Sequence, residues 1–327
     1  MYKRQVEQSK RFYILFGLIS QTGLIFSGLL LTNAKDISLF LEAIAGMSLD
    51  KEVLYVQLLL SSVLFLGLVS MFIFWYLNNV VMKNNTEQFV IKTKIKQTTL
   101  VENVKFIWHS KYIRLITLLL ICYGASINLV EAPWKIKTSS VYTTVADFTA
   151  FSGSYLQYTG ICTLIMVLVG SNVVRTLGWA TTAIITPAII TVTGILVFAS
   201  NSFHTHFAAF MFIIDPINFA IIAGAVQNVL SKSSKYALFD ATKEMIYVPL
   251  DDETKAKGKA AADMLGVKFG KSFSSGIQAF LLIILPNVAY NVIASYLMVI
   301  FLGVCALWFF TIYEINKEYL LKLESQK

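Results

Sequence analysis

Charge is what this sequence has least of. Only 14% of its 327 residues are Asp, Glu, Lys or Arg, against about a quarter in soluble domains. With 56% hydrophobic residues and a mean hydropathy of +0.67, a water-soluble fold would have nowhere to put its apolar surface. Cysteine is scarce as well. Cys122, Cys162 and Cys305 each stand inside an apolar run and none has a CxxC neighbour. A disulfide framework and a cysteine zinc site are thereby excluded, leaving small buried hydrophobes. His204 and His206 form an HxH pair, but no further His or Cys ligand lies nearby in the sequence, so no metal centre is expected. There is no HExxH and no GxSxG in a strand-turn-helix context. The Gly270-Lys271-Ser272 triplet is not a phosphate-binding loop of the Walker type, because Leu265 stands where the first glycine is needed and Gly266 comes one residue late. Nothing supports a hydrolytic enzyme, and no cofactor is implied.

What the sequence has in abundance is long apolar runs. Eight are visible, near 12–32, 54–82, 112–131, 148–174, 177–199, 207–230, 272–290 and 294–313. Most reach the roughly 20 residues that span a bilayer core. They must be helices, since lipid offers no partner to backbone N–H and C=O groups, and a β-barrel would show short alternating segments instead. The fold class expected is all-α: a polytopic membrane bundle of about eight transmembrane helices. The seventh run is the weakest, opened by Ser272, Ser274 and Ser275 and interrupted by Pro286. The N-terminal MYKRQVEQSKR resembles a signal peptide, but the run behind it continues past Gly28 without a small-x-small cleavage site, so it reads as a retained helix.

The lysines and arginines set the orientation. With the N-terminus placed in the cytoplasm, 23 of the 27 cations fall on the cytoplasmic side, and only Lys35, Lys51, Lys135 and Lys137 lie opposite. A bias of that size fits the positive-inside rule and an even number of crossings, with both termini cytoplasmic. The same distribution accounts for the net charge of +8 without invoking nucleic acid. The chain then divides into two helices in 1–82, a cytoplasmic linker at 83–111, and six helices in 112–327 with a long cytoplasmic loop at 231–271. Within that loop, Lys235 to Tyr247 has the composition of a short amphipathic helix on the membrane surface. Asp240 and Asp251 suit caps or turns, and Pro249 ends the first piece.

Charges inside apolar runs are few, and each costs at least ~2.5–3.5 kcal/mol at mid-bilayer unless it faces a polar cavity. Glu131 closes the third run in NLVEAPWKIK. It is either an interfacial carboxylate paired with Lys135 one turn later or part of a substrate pathway. Lys271 opens the seventh run; its ammonium either snorkels to the interface or meets an anionic substrate. Asp215 before Pro216 reads as a helix cap, and Asp147 as interfacial. Pro187 is expected to kink the fifth run, with Thr182 and Thr186 softening the lost hydrogen bond.

Four stretches carry a resemblance. ICYGASINLVEAPWKIK (121–137), the long motif KSSKYALFD…KGKAAAD within 230–272, GSNVVRTLGW (170–179) and KRFYILFGL (10–18) resemble the ATP/ADP translocase family. These are the nucleotide transporters of obligate intracellular bacteria and plastids, and the stretches resemble the rickettsial members. The resemblance covers essentially the whole chain. It implies a major-facilitator-like arrangement with twelve helices, of which this chain holds the family's fifth to twelfth, the C-terminal two-thirds. It implies ATP/ADP exchange, or transport of another nucleotide, across a bacterial inner membrane. The glutamate of the NLVE motif and the lysine of the GKS motif match Glu131 and Lys271, and Lys135 joins them as a candidate transport residue. The alternative is a truncated, transport-incompetent remnant, or one part of a split transporter completed by a separate N-terminal segment. One departure is local: the glycines that follow GKS in relatives are Phe273-Ser274-Ser275 here, which is expected to alter close packing.

Overall fold

The computed structural model describes residues 2–45, 51–81, 100–202, 215–286, 288 and 290–324. All regular structure among them is helical. In chain order the helices are α1 (Tyr2–Ala45), α2 (Lys51–Tyr76, prolonged by a π turn, Leu77–Val81), α3 (Leu100–His109), α4 (Lys111–Val141), α5 (Val145–Ser202), α6 (Pro216–Ser234), a second π turn (Lys235–Phe239), α7 (Asp240–Ile246), α8 (Asp252–Ile284) and α9 (Tyr290–Glu324). α5 is two helices in direction: Gly178 (φ 76°, ψ 177°) breaks it, a conformation that glycine reaches without steric cost. The break falls at the start of the apolar run 177–199, close to its boundary with the run 148–174. Pro187 lies within the second arm but is not where the backbone leaves helical geometry. Thr186 reaches across to the Ser234 carbonyl at 3.4 Å instead of patching its own helix.

Five stretches among the described residues are long and apolar enough to cross a membrane: Val53–Val81, Lys111–Val141, Val145–Gly170, Thr176–Ser200 and Val292–Lys322. The chain is therefore a polytopic helical bundle. The other three expected spans correspond to α1, to α6, and to α8. Part of the sixth apolar run, 207–214, lies outside the described residues, as do His204 and His206. In α8 the apolar half follows a lysine-rich half.

Two helix pairs are packed on glycine. α1 runs antiparallel to the first arm of α5; Gln157 Nε2 donates to Thr32 Oγ1 at 2.8 Å, and Lys35 sits 3.6 Å from Asp147. A Cβ on Gly28 would meet the Gly153 carbonyl at 2.7 Å. α4 and α8 run parallel. Gly258 lies on Ile113 and Gly266 on Leu120, while Gly270 lies on the Ile121 carbonyl and Gly124 on that of Val267. Small residues at four-residue spacing, such as Gly266 and Gly270, let two helix backbones approach closely, which in lipid replaces the hydrophobic drive.

Most of the region 231–271, expected as a loop, is helical. α6 passes through its π turn into α7 with helical backbone angles throughout, so helix continues from Pro216 to Ile246. The segment Lys235 to Tyr247 is helical and two-faced: Tyr236 and Glu244 are exposed, while Phe239, Ile246 and Tyr247 are buried. Phe239 stacks on Tyr123 of α4 at 4.7 Å, and both meet the edge or face of Trp308 from α9. Only residues 247–251 turn the chain. Asp251 then caps α8, accepting the Thr254 N–H at 2.9 Å, as its place after Pro249 predicts. The expected linker 83–111 is also partly helical, at Leu100–His109; 82–99 lies outside the described residues. Hydropathy marked 231–271 as a loop because its lysines dominate the average, although its apolar residues keep helical spacing.

Candidate functional site

Glu131 stands 20 residues into α4, roughly 30 Å along the axis from Lys111 at 1.5 Å per residue. Its carboxylate accepts from Lys135 Nζ at 2.9 Å and from Lys232 Nζ at 3.3 Å. The i,i+4 pair with Lys135 is the one its spacing predicts. The partner on α6 is not, since Lys232 had been counted among cytoplasmic loop cations. The side chains of Glu131 and Lys232 are only 14% and 22% exposed, whereas Lys135 is half exposed. The α4–α6 pair is therefore the less screened by solvent of the two.

Local sequence holds this arrangement in place. Pro133 lies inside α4 and supplies no N–H to the carbonyl four residues back, loosening the helix at the turn of Glu131. One turn on, Trp134 Nε1 donates to the Ile221 carbonyl of α6 at 2.9 Å, and the indole fills the space left by Gly224. Lys232 Nζ also lies 5.1 Å from the Tyr155 ring centroid, within cation–π range. Three residues beyond Lys232 the helix widens into the π turn Lys235–Phe239, where Lys235 pairs with Asp240 at 3.0 Å. Such turns often accompany functional sites. Between the Gly224 contact and Lys232, Gln227 and Asn228 are buried with Gln227 Nε2 and Asn228 Oδ1 unpaired. A buried polar atom left without a partner costs about 1–3 kcal/mol, so these atoms suit a place that admits water or a polar ligand.

Lys271 is brought to the same part of α4 by a different contact. It lies about 28 Å along α8 from Asp252, inside a helix rather than at its mouth, and its side chain is exposed. Asn128 Nδ2 donates to the Lys271 carbonyl at 3.1 Å and to the hydroxyls of Ser274 and Ser275 at 2.9 and 2.8 Å. Gln278 Nε2 returns a bond to the Asn128 carbonyl at 3.3 Å. The serines that replace glycine after GKS are thus the receiving half of an α4–α8 latch. Among the described residues no carboxylate pairs with the Lys271 ammonium, and no contact joins it to Glu131.

The remaining candidates are structural. Asp215 caps α6, accepting from the Asn218 N–H at 3.4 Å, with Pro216 in the first turn. Asp147 exchanges hydrogen bonds with Thr144 at the start of α5. Cys122 and Cys305 are buried and Cys162 partly so, all as free thiols. No group of metal-ligating side chains occurs among the described residues. Sequence reasoning missed Lys232, Asn128 and the Gln227–Asn228 pair. For Lys232 the missed signal was the helical spacing of Phe239, Thr242 and Ile246, all buried, which carries the helix past it.

A membrane-crossing helical bundle with a partly buried, ion-paired carboxylate between helices is the architecture of a polytopic membrane protein with a polar interior. The chain matches the TLC ATP/ADP transporter family over residues 3–319 and belongs to it. It is similar to ADP,ATP carrier protein 4 of Rickettsia bellii, with 50% identity over 318 residues that cover 96% of this chain and 61% of the relative. Carrier protein 4 of Rickettsia prowazekii is 48% identical, with 96% and 62% covered. ADP,ATP carrier protein 3 of Rickettsia typhi is 38% identical over 323 residues, with 96% and 64% covered. The chain thus spans about three-fifths of the length of the curated relatives it matches. No solved structure matches it.

Proposed function

We propose that this chain carries nucleotides across a bacterial inner membrane, exchanging ATP for ADP by alternating access, with Lys135, Lys232 and Lys271 meeting the substrate's phosphates and Glu131 serving the alternating-access cycle. The observation that carries this reading is the Glu131–Lys232 pair inside the bundle. One carboxylate between two ammonium groups leaves a net positive charge, and Lys271 adds another. An incoming phosphate chain competes with Glu131 for Lys135 and Lys232. Release of Lys232 unclasps α4 from α6 beside the π turn and Pro133, where both helices are weakest. Nucleotide binding then shifts the balance between inward- and outward-open states by its differential affinity for them. No bond is made or broken, so the protein acts as a carrier and not as an enzyme. The lysine bias supports cytoplasmic termini, and the family resemblance supports a major-facilitator-like arrangement.

A second reading concerns the complete assembly. Residues 63–81, the later part of α2 and its π turn, are all exposed, which favours further helices packing there, supplied by a separate N-terminal segment. Without them the chain would be a transport-incompetent part. The test is uptake of labelled ATP into cells expressing this chain, alone and with a four-helix N-terminal segment from a relative. Uptake that depends on internal ADP supports exchange, and the arm that shows it decides between the readings. No nucleotide uptake in either arm, with the protein in the membrane, refutes the transport function.

A further inference from the structure

Beside the charged cluster is a cavity of about 260 Å³ between α4 and the first arm of α5. Phe148, Phe151 and Tyr155 come from α5 and Trp134 from α4, with Lys135 on the wall. The α5 residues recur at helical spacing and so share one face. A stripe of that kind is ordinarily core, but here it borders open space. Phe151 and Tyr155 are only half-buried, and Tyr142 already stacks on Phe151 at 4.8 Å, showing how a flat ring is taken. Ser152 also faces the space, and its hydroxyl makes no hydrogen bond among the described residues.

Resting on the nucleotide reading above, we infer that this cavity is the subsite for the nucleobase. Its volume lies just below the range of about 300–1,000 Å³ usual for whole small ligands, which suits one end of a nucleotide. Aromatic walls stack on any base, a contact that tolerates different bases. The Ser152 hydroxyl is free to meet a polar edge of the base or ribose. Tyr155 ties the cavity to the charged cluster, because the same ring that lines it lies under Lys232. A base seated among Phe148, Phe151 and Tyr155 directs its phosphates toward Lys135 and Lys232. The division of labour is physical: stacking holds the uncharged end and the ammonium groups hold the anionic end.

The experiment is equilibrium binding of labelled ATP to the purified full chain in detergent, with adenosine and inorganic tripolyphosphate as competitors. In the unaltered protein both compete, adenosine through the base and tripolyphosphate through the lysines. Phe148→Leu and Phe151→Leu each weaken ATP and adenosine about tenfold and leave tripolyphosphate within about twofold. If Phe151→Leu does not fold, Phe148→Leu decides, since its ring makes no aromatic pair among the described residues. The subsite is overturned if ATP binds but adenosine does not compete, or if folded variants keep full ATP affinity or lose tripolyphosphate equally. If the unaltered chain binds neither ATP nor tripolyphosphate, the nucleotide reading itself fails, and this inference with it.

Discussion

Glu131 and Lys232 are 101 residues apart in the chain and 3.3 Å apart in space, and they join the two helices that hold the candidate site. Removing either charge leaves the other short of a partner in a mostly buried place. Breaking a buried pair costs about 3–5 kcal/mol; Lys135 remains to pair with Glu131, so Lys232→Met should cost less, about 1–3 kcal/mol. Glu131→Gln strands two ammonium groups and should lower the melting temperature in detergent further than Lys232→Met. A double variant no less stable than the worse single one would show the coupling; strictly additive losses would show that the pair is not energetically joined.

Lys271 presents the opposite case. Its backbone carbonyl accepts from Asn128 and Ser274, and its side chain is exposed. Lys271→Gln should therefore leave the melting temperature unchanged while abolishing nucleotide uptake. Undiminished uptake with normal expression would remove this lysine from the substrate path. Asn128→Leu should do the reverse at first, destabilising the α4–α8 contact by removing the amide that Lys271, Ser274 and Ser275 share.

The parallel α4–α8 pair depends on missing side chains. A Cβ at Gly270 collides with the Ile121 carbonyl and one at Gly124 with the Val267 carbonyl, and backbone cannot give way as a side-chain tip can. Gly124→Ala and Gly270→Ala should each cost about 1–3 kcal/mol, the usual range for overpacking. Gly276 is the control on the same helix: a Cβ there would meet nothing within 4 Å. Gly276→Ala should be neutral or stabilising by up to about 1 kcal/mol through helix propensity. Thermal unfolding of the three proteins separates these outcomes, and equal losses would dismiss the close-packing account.

Asp251 gives a dependence on pH. The Thr254 backbone N–H it accepts holds its carboxyl below the ordinary carboxylate value. A depressed folded-state value means its stabilisation is complete above the unfolded value, near about 3.9, and is lost as pH falls through the lower folded value. Asp251→Ala should thus lower the melting temperature at pH 7 and pH 5 alike, with the difference shrinking below about pH 4. A gap that persists to pH 2.5 would assign the loss to something other than the carboxylate.

The helices were legible in the sequence because lipid leaves a chain almost no choice: long apolar runs become helices, and five of them are long and apolar enough among the described residues to cross a membrane. Local signals were legible for the same kind of reason. The caps at Asp215 and Asp251, the break close to the boundary of the fourth and fifth runs, and the Glu131–Lys135 spacing each depend on a few neighbouring residues. Averaged hydropathy failed at 231–271, where the lysines of two helices hid the apolar residues those helices bury.

Composition and charge distribution alone determined that this protein is a helical membrane bundle, since the cost of exposing backbone to hydrocarbon does not depend on which helices meet. Only the tertiary structure decided that Glu131 finds Lys232, that Asn128 latches onto Ser274 and Ser275, and that an aromatic cavity opens beside them. Those outcomes turn on which helix faces pack together, a matter of shape at positions such as Gly224, Gly266 and Gly270, and no pattern along one strand of sequence records the partner across the gap.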